Sequence, residues 1–215
     1  MTDEHFVTAP GASDLAGIVF DDTRQKLYVV DRGTKNLFVY SWDAQREELS
    51  PDGTNPKTLT GLGSWGAHGV ALDTANGLLY VSDFTAAVHY YDTDDWAHIG
   101  SVNVGEAAVD IDIDSQGRYL YAGGYRYHQS LVKVDLTSGI AQSYEAQADV
   151  IGLAVDPDSG LVYATTSEND IRVYDASSYP FALTDYENIG AGTGVCVPVG
   201  DVSYKPDVFI LGKDD

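Results

Sequence analysis

The chain has 215 residues, of which 44% are hydrophobic, and its 33 acidic against 12 basic residues give a formal net charge of -21. A chain of this length buries a sizeable core, and so negative a surface repels phosphate backbones and anionic headgroups; nucleic acid and membrane surfaces are therefore not expected as partners, while cations and basic proteins are favoured. An acidic shell that keeps an extracellular or salt-exposed protein soluble accounts for the same charge.

Asp far outnumbers Glu, which suits turns and strand ends rather than helix faces. Cys196 is the lone cysteine, so no intrachain disulfide is expected; between Val195 and Val197 it reads as a small buried hydrophobe. No stretch has the length of a transmembrane helix, so no membrane insertion is expected. Met1 to His5 has neither the basic nor the apolar part of a signal peptide, which fits an intracellular protein or one whose leader lies outside this sequence.

In chain order, His5-Phe6-Val7-Thr8 is a short candidate strand, and the first long unit opens with Ala16-Gly-Ile-Val-Phe-Asp21. A turn follows, then a run holding Tyr28, then a third run closing on Asp43. Residues 44–57, with Pro51-Asp52-Gly53 and Asn55-Pro56, read as an inserted surface loop. The same order returns in the next three units: apolar runs end at Asp73, Asp114 and Asp156, second runs hold Tyr80, Tyr121 and Tyr163, and third runs close on Asp92, Asp135 and Asp175. From Asp21 the first set is spaced 52, 41 and 42 residues, and the tyrosines repeat those spacings. A period near 42 residues made of short strands and Gly, Asn and Asp turns is what propeller blades produce.

The expected fold is therefore all-β, a small β-propeller of about five blades within one domain spanning 1–215. Its units are 15–62, 66–105, 107–148 and 150–193, with a partial one at 195–211. The last blade is incomplete, or it is closed by the N-terminal strand or by a neighbouring chain. Val202, Tyr204, Val208, Phe209, Ile210 and Leu211 form the expected assembly edge, where copies of the chain or another protein could add strands.

The units Gly69-Val-Ala-Leu-Asp…Leu79-Tyr-Val-Ser-Asp and Gly152-Leu-Ala-Val-Asp-Pro…Val162-Tyr-Ala-Thr resemble the repeats of YVTN and NHL β-propellers, over residues 15 to about 211. That resemblance implies the fold; the class includes ligand-binding, protein-binding, surface-layer and a few catalytic members. Thr193-Gly-Val-Cys-Val-Pro…Asp201-Val-Ser-Tyr-Lys-Pro206 and Leu27-Tyr-Val-Val-Asp-Arg-Gly-Thr34 are similar to propeller modules of large secreted bacterial surface proteins. This implies a secreted or cell-surface location, with 202–215 leading toward further domains or the outside of an assembly.

For chemistry, Gly61-Leu-Gly63-Ser-Trp-Gly66 has dinucleotide-fingerprint spacing but no following helix, so it reads as a loop between blades. No GxSxG, HExxH or CxxC occurs, and the five histidines are scattered. Asp110 and Asp112 replace small or apolar residues on an inner strand. Their alternation puts two carboxylates on one face near the channel, where they suit calcium or another hard cation, or are simply solvated in a wet channel.

On the face shared by the loops after each second strand and before each first strand, the sequence places Asp31, Arg32, Trp65, His68 and Asp83. It also places there Tyr125, Arg126, Tyr127 and His128, together with Glu168 and Asp170. These could recognise a sugar or peptide by stacking and planar hydrogen bonds, or could simply cover the strand ends. Arg32 reads as a local ion pair with Asp31. The expected function is a non-enzymatic extracellular interaction or self-assembling module with protein partners, including copies of itself. The alternative is a metal-dependent hydrolase or lyase of the lactonase-like propeller kind, with Asp110, Asp112 and His68 around a channel cation.

Overall fold

The computed structural model of the protein describes residues 7–125, 130–157 and 159–177, and the strand backbone at 182–188, 194–196 and 209–211. It is all-β and arranged as a propeller of four full blades followed by a two-stranded sheet. Each full blade is an antiparallel meander. The first is β1 (Leu15–Asp21), β2 (Lys26–Asp31), β3 (Asn36–Asp43) and β4 (Glu48–Pro51), with β5 (Lys57–Thr58) also paired to β3. The second is β6 (Val70–Asp73), β7 (Leu78–Ser82), β8 (Ala87–Asp92) and β9 (His98–Asn103). The third is β10 (Ala108–Ile113), β11 (Tyr119–Gly124), β12 (Ser130–Asp135) and β13 (Ile140–Glu145). The fourth is β14 (Val150–Val155), β15 (Leu161–Thr166), β16 (Asp170–Asp175) and β17 (Ala182–Asn188). Last come β18 (Gly194–Cys196) and β19 (Phe209–Leu211), with Cys196 opposite Phe209.

The recurring aspartates are turn caps. After the first strand of each blade a carboxylate folds back on the turn: Asp21 Oδ1 accepts the Thr23 and Arg24 amides at 3.0 Å each, Asp73 the Asn76 amide at 3.0 Å, and Asp114 those of Arg118 and Tyr119 at 2.7 and 2.8 Å. In the fourth blade Asp156 takes the Ser159 hydroxyl at 2.5 Å. The aspartates that close the third strands do the same for the next turn, as when Asp135 Oδ1 accepts the Thr137 and Ser138 amides. Short acidic side chains satisfy turn amides that no strand can reach, which is why Asp rather than Glu is abundant.

The core lies between blades, not within one. Tyr28 and Val30 of β2 pack with Val70, Leu79 and Val81 of the second blade; Tyr80 packs with Ile111 and Leu120 of the third; Tyr121 packs with Leu153 and Val162 of the fourth. The repeated tyrosine thus fills the gap toward the following blade, and each such ring contributes about 2 kcal/mol by leaving water. Tyr163, at the matching place in the fourth blade, is half-buried.

Residues 44–57 are not just an inserted loop. They hold β4, the outer strand of the first blade, and the start of β5. Asn55 bonds Val39 with both ends of its amide, its Oδ1 accepting the Val39 N–H at 3.0 Å and its Nδ2 donating to the Val39 carbonyl, so a side chain replaces ladder pairing there. Of the N-terminal candidate strand, His5 and Phe6 lie outside the described residues, while the Thr8 carbonyl accepts the Tyr40 hydroxyl at 3.1 Å. Of the expected assembly edge, Val202, Tyr204 and Val208 lie outside the described residues, and Phe209, Ile210 and Leu211 form β19.

Candidate functional site

Loops from the first three blades and the inner strand of the fourth meet over the channel around a cavity of about 630 Å³. The first blade supplies Asp14 and Arg32, the second Trp65, His68 and Phe84, the third Tyr125, and Val109 and Ile151 on the inner strands complete the lining.

Local chemistry sets this arrangement. Asp31, buried at the end of β2, accepts four backbone amides, those of Ser13, Asp14, Gly33 and Thr34, and so binds the entry to β1 to the turn after β2. Burial pushes its carboxyl up, but these four donors together hold it below the usual aspartate range. Its oxygens being taken, Arg32 turns to Asp14 instead, donating from Nε at 2.7 Å and Nη2 at 2.5 Å; the expected pair with Asp31 is corrected to Asp14. Gly66 has a φ of +78°, and a Cβ there would strike the Arg32 carbonyl at 1.8 Å, so glycine is needed to bring Trp65 beside Arg32.

Asp83 plays the corresponding part in the second blade. It is buried, its Oδ2 accepts the Gly63 amide at 2.7 Å and faces His89 Nε2 at 3.3 Å, and its Oδ1 accepts the Thr85 amide and hydroxyl. One carboxylate thereby fixes both the loop that carries Trp65 and the turn that carries Phe84. Phe84 has a φ of +62°, a left-handed conformation that costs a residue with a Cβ about 1–2 kcal/mol. From it the ring sits among Trp65, His68 and Tyr125, with centroids 5.8, 5.1 and 5.5 Å away. Trp65 is 59% exposed, so the row of rings ends in an open face.

His68 closes one wall. Burial and then the Arg32 charge push its ring below the ordinary histidine value, while the Trp65 backbone carbonyl, hydrogen-bonded to the ring, pulls the other way. The ring is thus neutral at pH 7, and its Nε2 is buried with no hydrogen-bond partner.

Trp65, His68 and Tyr125 therefore come together, and Arg32 joins them. Arg126, Tyr127 and His128 lie outside the described residues. Glu168 is exposed on the turn before β16 and is not part of the cavity lining. Asp170 is buried, held by the Thr166 hydroxyl at 2.5 Å and by Arg172 Nε and Nη2 at 3.1 and 2.9 Å. Phe84 and Asp14 were not among the residues singled out in the sequence. A Phe in the left-handed region and a partner 18 residues from its arginine leave no local pattern.

Asp110 and Asp112 lie on β10, where protein crowds both although each keeps some surface open to the channel. Asp110 Oδ2 accepts the Leu153 amide at 2.8 Å and Asp112 Oδ2 the Val155 amide at 2.7 Å, both on the inner strand of the next blade. Their Oδ1 atoms accept the following amides of their own strand, Ile111 and Ile113, at 3.0 and 2.8 Å. Desolvation outweighs these donors, pushing Asp110 up to about 6 and Asp112 up to about 7. Four backbone donors use all four oxygens, and among the described residues no group of three or more His, Cys, Asp or Glu side chains is placed to hold a metal.

No family model matches the sequence, and no curated protein does. Among solved structures, the chain is similar to one in the crystal structure of a nidogen/laminin complex, with a TM-score of 0.71 at 14% identity, covering 92% of this chain and 72% of that one. What they share is the β-propeller fold.

Proposed function

We propose that the protein is a non-enzymatic interaction module of the YVTN/NHL-like kind, working outside the cell and receiving a partner on its loop face. The cavity carries this reading: four blades converge on an aromatic row with an open end, walled by an Arg–Asp pair and a histidine acceptor. Binding sites of this size combine mostly apolar walls with a few placed polar groups. The acidic charge and the likeness of the C-terminal residues to secreted surface modules favour an extracellular role, and the neighbouring fold was solved as part of a protein complex. The units 15–62, 66–105, 107–148 and 150–193, with 195–211, act in this reading as one rigid domain.

Selection of a displayed random peptide library against the intact chain tests it. Binders that lose about tenfold or more in affinity against Trp65→Ala or Phe84→Ala support the cavity as the docking site. Binders indifferent to both substitutions refute it as a protein-docking site.

A second reading, self-assembly, is favoured by a separate observation. Ile18 and Phe20 on β1 are 59% and 43% exposed, whereas the matching Val70, Ile111 and Leu153, and Ile113 and Val155, are buried against the preceding blade.

A further inference from the structure

We infer that the channel-mouth cavity is a saccharide site, taking one or two neutral pyranose units; this rests on the reading of that cavity as the binding site. The ring row is the first ground. Trp65, Phe84 and Tyr125 follow one another at 5.8 and 5.5 Å between centroids, tilted by 56° and 58°, so they form a continuous apolar floor and not a closed slot for one side chain. The exposed Trp65 end offers a flat ring of the kind on which the C–H face of a pyranose stacks.

The polar groups are the second ground. His68 Nε2 is an acceptor buried without a donor, and a buried acceptor left unmet is costly. Asp14 adds acceptor oxygens and Arg32 a planar fork of donors, held together in one pair, and Ser64 brings a hydroxyl. Donors and acceptors thus alternate along the wall, which suits vicinal hydroxyls, since each hydroxyl both gives and takes a hydrogen bond. The charges lining the cavity are balanced, because Arg32 is neutralised by Asp14 and burial with the Arg32 charge keeps His68 uncharged. A neutral ligand therefore fits better than an anion or a cation.

The strained Phe84 is the third ground. A left-handed φ at an aromatic residue persists because Asp83 fixes the turn on either side of it, and the outcome is a ring placed in the middle of the floor. Strain of this kind gathers at ligand-binding positions.

The test is a titration of the ¹⁵N-labelled full chain, followed by NMR, with the methyl glycosides of glucose, galactose, mannose and N-acetylglucosamine and with maltose, cellobiose, lactose and chitobiose. Saturable shifts at the Trp65 indole and at residues 64–68, 84 and 125, with a dissociation constant in the range of about 0.1–10 mM, are expected for at least one of them. Trp65→Ala should weaken binding about tenfold or more, and His68→Phe, which keeps a ring and removes the acceptor, several-fold. Unchanged affinity in both variants overturns the inference. So does the absence of saturable shifts at these residues from every sugar, and two cases then differ. If library-selected peptides still bind and depend on Trp65, the cavity is a site for protein and not for sugar. If neither class binds, the reading of the cavity as a binding site falls too.

Discussion

Asp110 and Asp112 stand where the other three inner strands carry Gly17 and Val19, Gly69 and Ala71, and Gly152 and Ala154. Inner strands of neighbouring blades do not share a ladder, and here two carboxylates make the link, reaching the Leu153 and Val155 amides across the gap. On the other side Gly69 lets β6 approach, since a Cβ there would lie 2.7 Å from the Asp110 Cα. Asp112→Ala removes an acceptor from the Val155 amide and should cost about 1–3 kcal/mol in urea unfolding. The pH dependence follows from the raised values. Both groups titrate higher folded, at about 6 and about 7, than the ordinary 3.8, so the native state holds these protons more tightly. Their contribution to stability is fully present below 3.8 and is lost as pH rises through about 6 and 7. The urea midpoint of the wild type should fall over that window more steeply than that of the Asp110→Asn/Asp112→Asn variant, which cannot ionise there. Parallel pH profiles would show that the two carboxylates do not titrate in the native range.

At the scale of the element, the turns explain which parts of the fold could be read in advance. Gly77 and Gly160 follow their capping aspartates by four residues, with φ of +66° and +69°, and Gln25 occupies the same place after Asp21 with φ of +53°. Gly77→Ala should cost about 1–2 kcal/mol, because it forces a Cβ into the left-handed region. Gln25→Gly should be neutral or stabilising by up to about 1 kcal/mol, relief of that conformation offsetting the entropy of glycine in the unfolded chain. Thermal unfolding of the two variants checks the pair; equal losses would contradict it. Such caps repeat because every blade needs the same turn, and so the three inner strands of each blade announced themselves in spacing. The outer strands did not. β9, β13 and β4 expose one face and only half-bury the other, so selection for apolar alternation is weak, and β4 reads as loop. Of the cavity lining, Arg32, Trp65, His68 and Tyr125 were legible as residues of one loop face. Phe84 and the Arg32–Asp14 pair depend on how loops from separate turns are tied by Asp31 and Asp83, and no period records that.

The whole molecule poses the question of closure. In the second, third and fourth blades the face that meets the preceding blade is covered, with Leu79, Leu120 and Val162 fully buried. In the first blade the same face carries Ile18 and Phe20, both exposed, above Leu27 and Val29, both half-buried. The register Ile18↔Val29 and Phe20↔Leu27 puts all four on one side of the sheet. A row of this composition matches the inter-blade faces that the other blades bury, so its natural cover is another blade, supplied within the ring by the fifth sheet or between chains by a second copy. Burying a side chain of this size contributes about 1.5–3 kcal/mol, so the double variant Ile18→Asp/Phe20→Asp should lose several kcal/mol if the face is covered in solution and almost nothing if it is bare. Light scattering of the wild type then tells the two covers apart. A monomer at all concentrations, destabilised by the double substitution, assigns the cover to the same chain. Oligomers that dissociate on dilution, and that the substitution abolishes, assign it to a second copy and favour the self-assembling reading. Stability and mass both untouched by the two aspartates would mean that the first blade works with an open flank.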